Sequence, residues 1–581
     1  MTYKDITSSG IHFITEPVAI PDGTYLKAEA GSRLVGGKRL TAEKSDGGLW
    51  CVDLGKAGIE PAAFVSRGFG RKISPSHNEL FIDGKPLFLA QYPKRGDFLT
   101  VRSLGKEPHV DGEVAVGQLI DGFYYDDARP AEWKKGQEIW MLGYWDWDWS
   151  PTRERVKSID SDRCFVSVDI GEGQNNVREG QRFCFYNVRE EVRYEGDYCI
   201  DFDEKKLWFI PYSGTDMEKA EIILSTDTTP VFSLDGAKDI VIEGFTIEAF
   251  CGMGIRINNS RNIIIRGCEM KNIGNRAICV DDSFGITVTD CHIHDTGDGG
   301  VAYYCGDRKT LTEADCRVTY SHFHDIAKWD RCYEPPIRLY GVGLQAKFNH
   351  IHDCPHSAIL FGGNEISITD NEVHHVVLET GDAGAIYGGL DYTFRGNEVS
   401  HNFIHHVGSK LGLGAMGIYN DDAISGTRME YNVFYKVQRA CFMGGGIDFV
   451  VDGNVFIDCF PSIEIDGRGN VDVPMWRNMV SNLLYHKFYS IDGSEVKGTD
   501  DVYMHKYPEL KKIDDYYKSS PAPFIPAEAV MKHNIFCSKE KINYSWASEG
   551  GYYTEYDNVD VSREKLGKYL TEHELDVISR D

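Results

Sequence analysis

The chain has 581 residues with a formal net charge of −27, 42% hydrophobic and 12% aromatic residues, 60 glycines and only 26% charged residues. That length exceeds what one compact core accommodates, so the choice lies between several domains and a repeat that grows along one axis. The acidic balance excludes phosphate-backbone and anionic-membrane partners, which are held mainly by lysine and arginine, and favours a neutral ligand such as a glycan.

No stretch reaches the roughly 18 consecutive apolar residues of a membrane span, and MTYKDITSSGIHF lacks a basic start followed by an apolar core. The expected location is therefore cytoplasmic, a trimmed signal being the alternative. The fifteen cysteines are scattered and contain no CxxC pair, which reads as reduced thiols and not as a zinc cage or disulfide framework.

In chain order, IPDGTYLKAEAGSRLVG alternates with turn glycines and reads as the first rungs of a solenoid, residues 1–74. From 75 to 228 the pattern changes to hairpin-like segments, ELFIDGKPLFLAQYP, RFCFYNVREEV and DYCIDFDEKKLWFIPY, which predict an inserted antiparallel β-sandwich or barrel. Within it, YWDWDWS sets Trp145, Trp147 and Trp149 at alternate positions. If extended, that segment presents all three on one face, either filling the insert's core or closing a ligand subsite, with Trp147 the candidate contact.

Residues 229–490 carry a repeat, with copies such as IIRGCEMKN, AKFNHIHDC, SITDNEVHH and MEYNVFYKV. Its turn position falls at Phe245, Cys268, Cys291, Ser321, Asn349, Asn371, Asn402, Asn432, Asn454 and Asn482, a step of about 22 residues lengthened by insertions. Period-two alternation of β-branched and aromatic residues makes each rung a set of strands. The predicted fold is all-β, a right-handed parallel β-helix, with asparagines stacked as a ladder. Histidines in HIHD, HFHD, NHIHD and VHHV recur at every rung and read as ladder or solvent-facing positions, so no metal and no cofactor is assigned. Residues 491–581 lose the pattern and are expected to pack along or cap the solenoid.

The strand after each ladder turn gives an outward column, Cys279, Ala302, Arg338, Leu360, Tyr387, Tyr419, Phe442 and Glu464, and two residues further a second, which includes Gly389, Asp421, Gly444 and Asp466. Tyr387, Tyr419 and Phe442 are expected to form an exposed aromatic strip flanked by the acids Glu464 and Asp466, the equipment of a sugar cleft. Such a strip is also compatible with a homo-oligomer. Asp382, Asp391, Asp421 and Asp422 cluster on neighbouring rungs. Each could be a plain turn residue, but together they offer the two carboxyl groups that glycosidic cleavage needs. The 30- or 31-residue step from Asp391 to Asp421 or Asp422 resembles one rung and favours Asp391 as the partner acid.

The segments ETGDAGAIYGGLDYTFRGNEVSHNFIHHVG, GIYNDDAISGTRMEYNVFYKV and GGGIDFVVDGNVFIDC resemble the parallel β-helix enzymes of glycoside hydrolase family 141, whose activities include α-L-fucosidase and xylanase. The resemblance covers about 230–470. It implies an oligosaccharide or glycoside substrate and two catalytic aspartates, mapping onto Asp382 of ETGDAG and Asp422 of YNDD, with Asp421 the alternative to Asp422. It thus favours Asp382 where the spacing favours Asp391, and both remain candidates. GGLDY stands where a longer side chain such as arginine is expected, which points to a different specificity subsite. Two other readings use the same fold: a polysaccharide lyase acting on a uronic-acid glycan, with Arg338, Lys410 or Arg468 near the cleft, and a non-catalytic glycan-binding solenoid.

Overall fold

The computed structural model describes residues 4–111, 114–169, 176–470, 497–518 and 525–580. Three long parallel sheets of 13, 13 and 11 strands run the length of the molecule, each strand pairing with the equivalent strand one turn later. This is a parallel β-helix. Strands Arg261–Arg266, Thr287–Thr289 and His292–Thr296 turn Ile263, Ile265, Val288 and Ile293 inward at 0% exposure, and one apolar core extends from Leu26 to Phe536. Inward side chains stack on their equivalents one rung away, which is why the period-two pattern was visible in every rung.

The asparagine ladder is continuous. The Oδ1 of each asparagine accepts from both the backbone N–H and the Nδ2 of the preceding one, from Asn349 through Asn371, Asn402, Asn432 and Asn454 at 2.9 to 3.0 Å. Cys268 and Cys291 fill earlier turns as buried, unpaired thiols, and among the described residues all fifteen cysteines are free. After Asn454 the next step is Asn534, then Asn558. Strands Glu528–Lys532, Ile535–Cys537, Ile542–Ser545, Tyr552–Tyr556 and Val559–Asp560 extend all three sheets. The solenoid therefore continues well past residue 490, and only part of 491–581 is a side element. Asn482, assigned to the ladder from sequence, lies outside the described residues. Helices Asp501–Lys506 and Leu510–Lys518 bury Tyr503, Tyr507, Leu510 and Ile513 against the main core.

The insert also has other limits than those read from sequence. Strand Gly37–Leu40 already pairs antiparallel with Ile222–Ser225, so the chain leaves the solenoid near Gly36 and returns at Thr226, whose N–H donates to Gly36 O at 3.0 Å. A Cβ at Gly36 would lie 2.3 Å from the Phe250 ring, so the branch point requires glycine. Within this excursion the sheets are almost wholly antiparallel and enclose two apolar cores, one around Leu80, Tyr198 and Leu224, the other around Phe123, Trp145 and Phe183. Ion pairs such as Arg67–Asp298 and Lys328–Glu79 bind it to the solenoid. No helix among the described residues is long and apolar enough to cross a membrane.

Candidate active site

The third sheet carries the outward column through paired positions from Cys279 to Glu464, with Tyr387 beside Tyr419, Tyr419 beside Phe442 and Phe442 beside Glu464. The aromatic strip is not exposed, however. Tyr387 is 7%, Tyr419 2% and Phe442 0% accessible. The rings pack edge to face, 5.3 Å between Tyr387 and Tyr419 and 5.0 Å between Tyr419 and Phe442, and Tyr333 caps Tyr387 at 6.0 Å. Tyr333 lies in an inter-rung loop without periodicity, which is why sequence reasoning missed it. Beyond it stand Phe69 and Trp149 of the insert. The two tyrosines thus present their hydroxyl groups, not their faces, and Phe442 is packing.

Those hydroxyls meet the acids. Asp382 precedes strand Ala383–Gly388, held by its N–H on Gly414 O at 2.8 Å, and its exposed carboxylate accepts from Tyr419 Oη at 3.0 Å. Asp421 follows strand Ala415–Asn420, its N–H donating to Gly388 O at 2.8 Å and its Oδ2 accepting from Tyr387 Oη at 2.9 Å. Asp421 Oδ1 also accepts the backbone N–H of Asp422 at 2.9 Å. Gly389 makes room here, since a Cβ on it would lie 3.0 Å from Asp421 Cβ. Arg468 gathers the group: Nη1 lies 2.5 Å from Asp422 and 3.3 Å from Asp421, and Nη2 lies 2.8 Å from Asp466.

Although Asp382 keeps one side open to solvent, the protein packed around its carboxyl group desolvates it and raises its pKa, with the Tyr419 hydrogen bond opposing the rise and the charge of Asp421 adding to it. Burial likewise raises Asp421, assisted by Asp422, and raises Asp422, where Arg468 opposes the rise. Three carboxyl groups that resist simultaneous ionisation beside one fixed cation can hold one protonated and one ionised, the two states that acid–base cleavage requires.

The remaining candidates are placed elsewhere. Asp391 is 4% exposed, and its Oδ1 accepts from the N–H and hydroxyl of Thr393 at 2.9 and 2.7 Å. Residues 389–396 leave the sheet, so the rung-step argument for Asp391 fails and its carboxylate shapes the loop. Glu464 is 6% exposed and spent on Arg439, at 2.7 and 3.0 Å, and on Ser545. The three tryptophans do not share a face, because 145–150 turns: Trp145 is in the insert's core, Trp147 is exposed under the Arg178 guanidinium, and Trp149 packs on Phe69. The same turn still touches the site's edge, where Asp148 O accepts from the N–H of Gly381. Tyr144 and Arg182 of the insert and Arg331 of the solenoid hold Glu379 three residues before Asp382, so the insert clamps the segment that carries this acid.

A cavity of about 400 Å³ lies between insert and solenoid, lined by Phe98, Tyr186, Trp329, Arg331 and Glu379. Its acids are already engaged, Glu379 by Arg331 and Tyr144, and Asp295, Asp325 and Asp353 by histidines. What distinguishes Asp382, Asp421 and Asp422 is that three carboxyl groups share the cation Arg468 and two tyrosine hydroxyls.

Residues 231–316 match the family model described as "Right handed beta helix region". No curated protein matches the chain. A solved structure described as "Glycoside hydrolase" superposes with a TM-score of 0.56 at 14% identity, covering 80% of this chain and 90% of that one. A structure of XylC with xylose covers 96% of this chain and 80% of that one, with a TM-score of 0.47 and 10% identity. A PL6 family polysaccharide lyase from Pseudopedobacter saltans covers 58% of this chain and 80% of that one, with a TM-score of 0.36 and 14% identity. The matched rungs and the first superposition agree with the sheet topology: the chain is a right-handed parallel β-helix protein.

Proposed function

We propose that the protein is a glycoside hydrolase that removes a terminal sugar from an oligosaccharide or glycoside, with Asp382 and one of the pair Asp421 and Asp422 as its two working acids. The observation that carries this reading is the meeting, at one end of the third sheet's strands, of three carboxyl groups and two tyrosine hydroxyls from adjacent rungs with Arg468 reaching in from two rungs further on. One acid protonates the departing oxygen, and the other attacks the anomeric carbon or activates water. The resemblance of ETGDAG and YNDD to family 141 supports an α-L-fucosidase-, xylosidase- or xylanase-like specificity.

A lyase is less well served, because two of its three candidate bases are committed to ion pairs and the third, Lys410, is exposed. Burial alone would lower the pKa of Arg468, but Asp466 and Asp422 outweigh it and hold the guanidinium charged. Arg338 is engaged with Tyr333 O and Glu334. A panel of nitrophenyl glycosides, with the product anomer followed by NMR, tests the proposal. Hydrolysis that disappears in Asp382→Asn supports it. An unsaturated product absorbing in the ultraviolet, formed from a polyuronate, would overturn it in favour of elimination.

A further inference from the structure

The second sheet carries a feature that the acid cluster does not use. HIHD at 292–295, HFHD at 322–325 and HIHD at 350–353 occupy consecutive rungs. Their register puts His292, His322 and His350 in one column and His294, His324 and His352 in the next. Rings within each column stack at 4.8 to 5.3 Å.

In the second column each Nδ1 faces the aspartate that follows it, at 2.8 Å in His294–Asp295, 2.8 Å in His324–Asp325 and 2.6 Å in His352–Asp353. A carboxylate there fixes the proton on Nδ1 and turns the Nε2 lone pair forward. The Nε2 of His324 then meets Nε2 of His292 at 2.8 Å, a contact that one shared proton satisfies. No imidazole faces His294 in this way: its Nε2 is buried without a hydrogen bond, and Glu269 Oε1, 3.6 Å away, forms an ion pair with it when the ring is protonated. One ligand atom from each of His292, His294 and His324 lies within 4.8 Å of the others.

A largely buried imidazole with a carboxylate on either side of its ring and two further imidazole nitrogens within 4.8 Å is arranged for a cation that all of them can share. We propose that His292, His294 and His324 bind a divalent late first-row transition metal of the zinc or copper class, for which imidazole is a preferred ligand. Glu269 is the available fourth ligand, and Lys271, 3.2 Å from its other oxygen, is the cation the metal displaces. His322, His350 and His352 form a second such triple one rung further. A third group, His350, Glu372 and His374, follows on the next rung, but there the aspartate is replaced: His374 Nδ1 meets Nδ1 of His375 at 2.8 Å. Because the ligands belong to strands His292–Thr296 and His322–His324, the ion ties consecutive rungs together, and metal binding stabilises the solenoid.

The test uses the tag-free full chain, stripped with a chelator and equilibrated with zinc or with cobalt. The expected result is at least one zinc per chain, a higher thermal midpoint with zinc than without, and visible d–d bands with cobalt. His292→Gln combined with His324→Gln should lose one equivalent and weaken the bands, whereas His401→Gln, an exposed histidine outside the columns, should lose neither. If the double variant fails to fold, Asp295→Asn with Asp325→Asn should keep the ligands and weaken zinc binding by about 10- to 100-fold. Less than half an equivalent of zinc in the parent, or unchanged metal content in a folded double variant, would overturn the proposal.

Discussion

The Tyr419 hydroxyl donates to Asp382 on the preceding rung at 3.0 Å, while Tyr387, on that preceding rung, donates to Asp421 on the following one at 2.9 Å. Each acid is thus held by the tyrosine of the other's strand, and the parallel register of Tyr387 beside Tyr419 fixes both bonds at once. A hydrogen bond donated to a carboxylate favours its ionised form, so Tyr419→Phe raises the pKa of Asp382. The limb of the pH–rate profile governed by Asp382 should move to higher pH whether this residue acts as base or as acid. A bond of this kind at a partly solvated site is worth about one pH unit. A profile unchanged in Tyr419→Phe would remove Asp382 from the reacting pair.

Asp382→Asn keeps the shape of the side chain and can still accept from Tyr419, so the strand entry at Gly381–Ala383 is preserved. Activity towards an aryl glycoside should nevertheless fall by about 10²- to 10⁴-fold, the range for loss of a general acid or base. Asp422→Asn should do the same if it is the second acid, and Asp421→Asn if the neighbour is. Comparing the two assigns the role that spacing and resemblance leave open. Circular dichroism of each variant separates loss of chemistry from loss of fold.

Arg468 is the counter-ion for Asp421, Asp422 and Asp466, all of them largely buried. Replacing it with glutamine should cost about 2 kcal/mol near neutral pH, less than for a wholly buried pair because water reaches this edge. The loss is pH-dependent. Burial already raises Asp421 and Asp422 in the folded protein, and removing the cation raises them further. A carboxyl group raised on folding contributes stability that is complete below its unfolded pKa of about 3.9 and is lost as pH climbs through the folded value. The thermal midpoints of Arg468→Gln and the parent should therefore approach each other near pH 4 and separate towards pH 7. A constant offset across that range would contradict the coupling.

How far the sequence displayed all this depends on what repeats. The rungs, the ladder from Asn349 to Asn454 and the column Tyr387–Tyr419–Phe442–Glu464 were legible because a stacked strand imposes the same period-two constraint at every turn. The covering of that column was not legible, because Tyr333, Phe69 and Trp149 come from loops and from a domain with a different periodicity. Asp391 misled for a related reason: a count of residues between rungs assumes that the chain stays in the sheet, and 389–396 loops out of it to be pinned by Thr393. The continuation of the ladder at Asn534 was hidden because 80 residues separate it from Asn454, far more than the 22 to 31 of the earlier steps.

Asn432 stands within that ladder at 0% exposure and uses every group it has. Its Nδ2 donates to Val399 O at 2.8 Å and to Asn454 Oδ1 at 3.0 Å, its N–H donates to Asn454 Oδ1 at 2.9 Å, and its own Oδ1 accepts from the N–H and Nδ2 of Asn402. Asn432→Ala deletes the partners of Val399 O and of Asn402 together, in a place with no room for solvent. Each orphaned buried group costs about 1 to 3 kcal/mol, so the substitution should lower stability by about 3 kcal/mol. Asn432→Asp, nearly isosteric, should be worse, since it sets a charge in the core and replaces the Nδ2 donor with an oxygen facing Val399 O and Asn454 Oδ1. Denaturant midpoints measured for both variants check this order. If alanine were tolerated at below 1 kcal/mol, the ladder would be a consequence of strand stacking and not one of its causes.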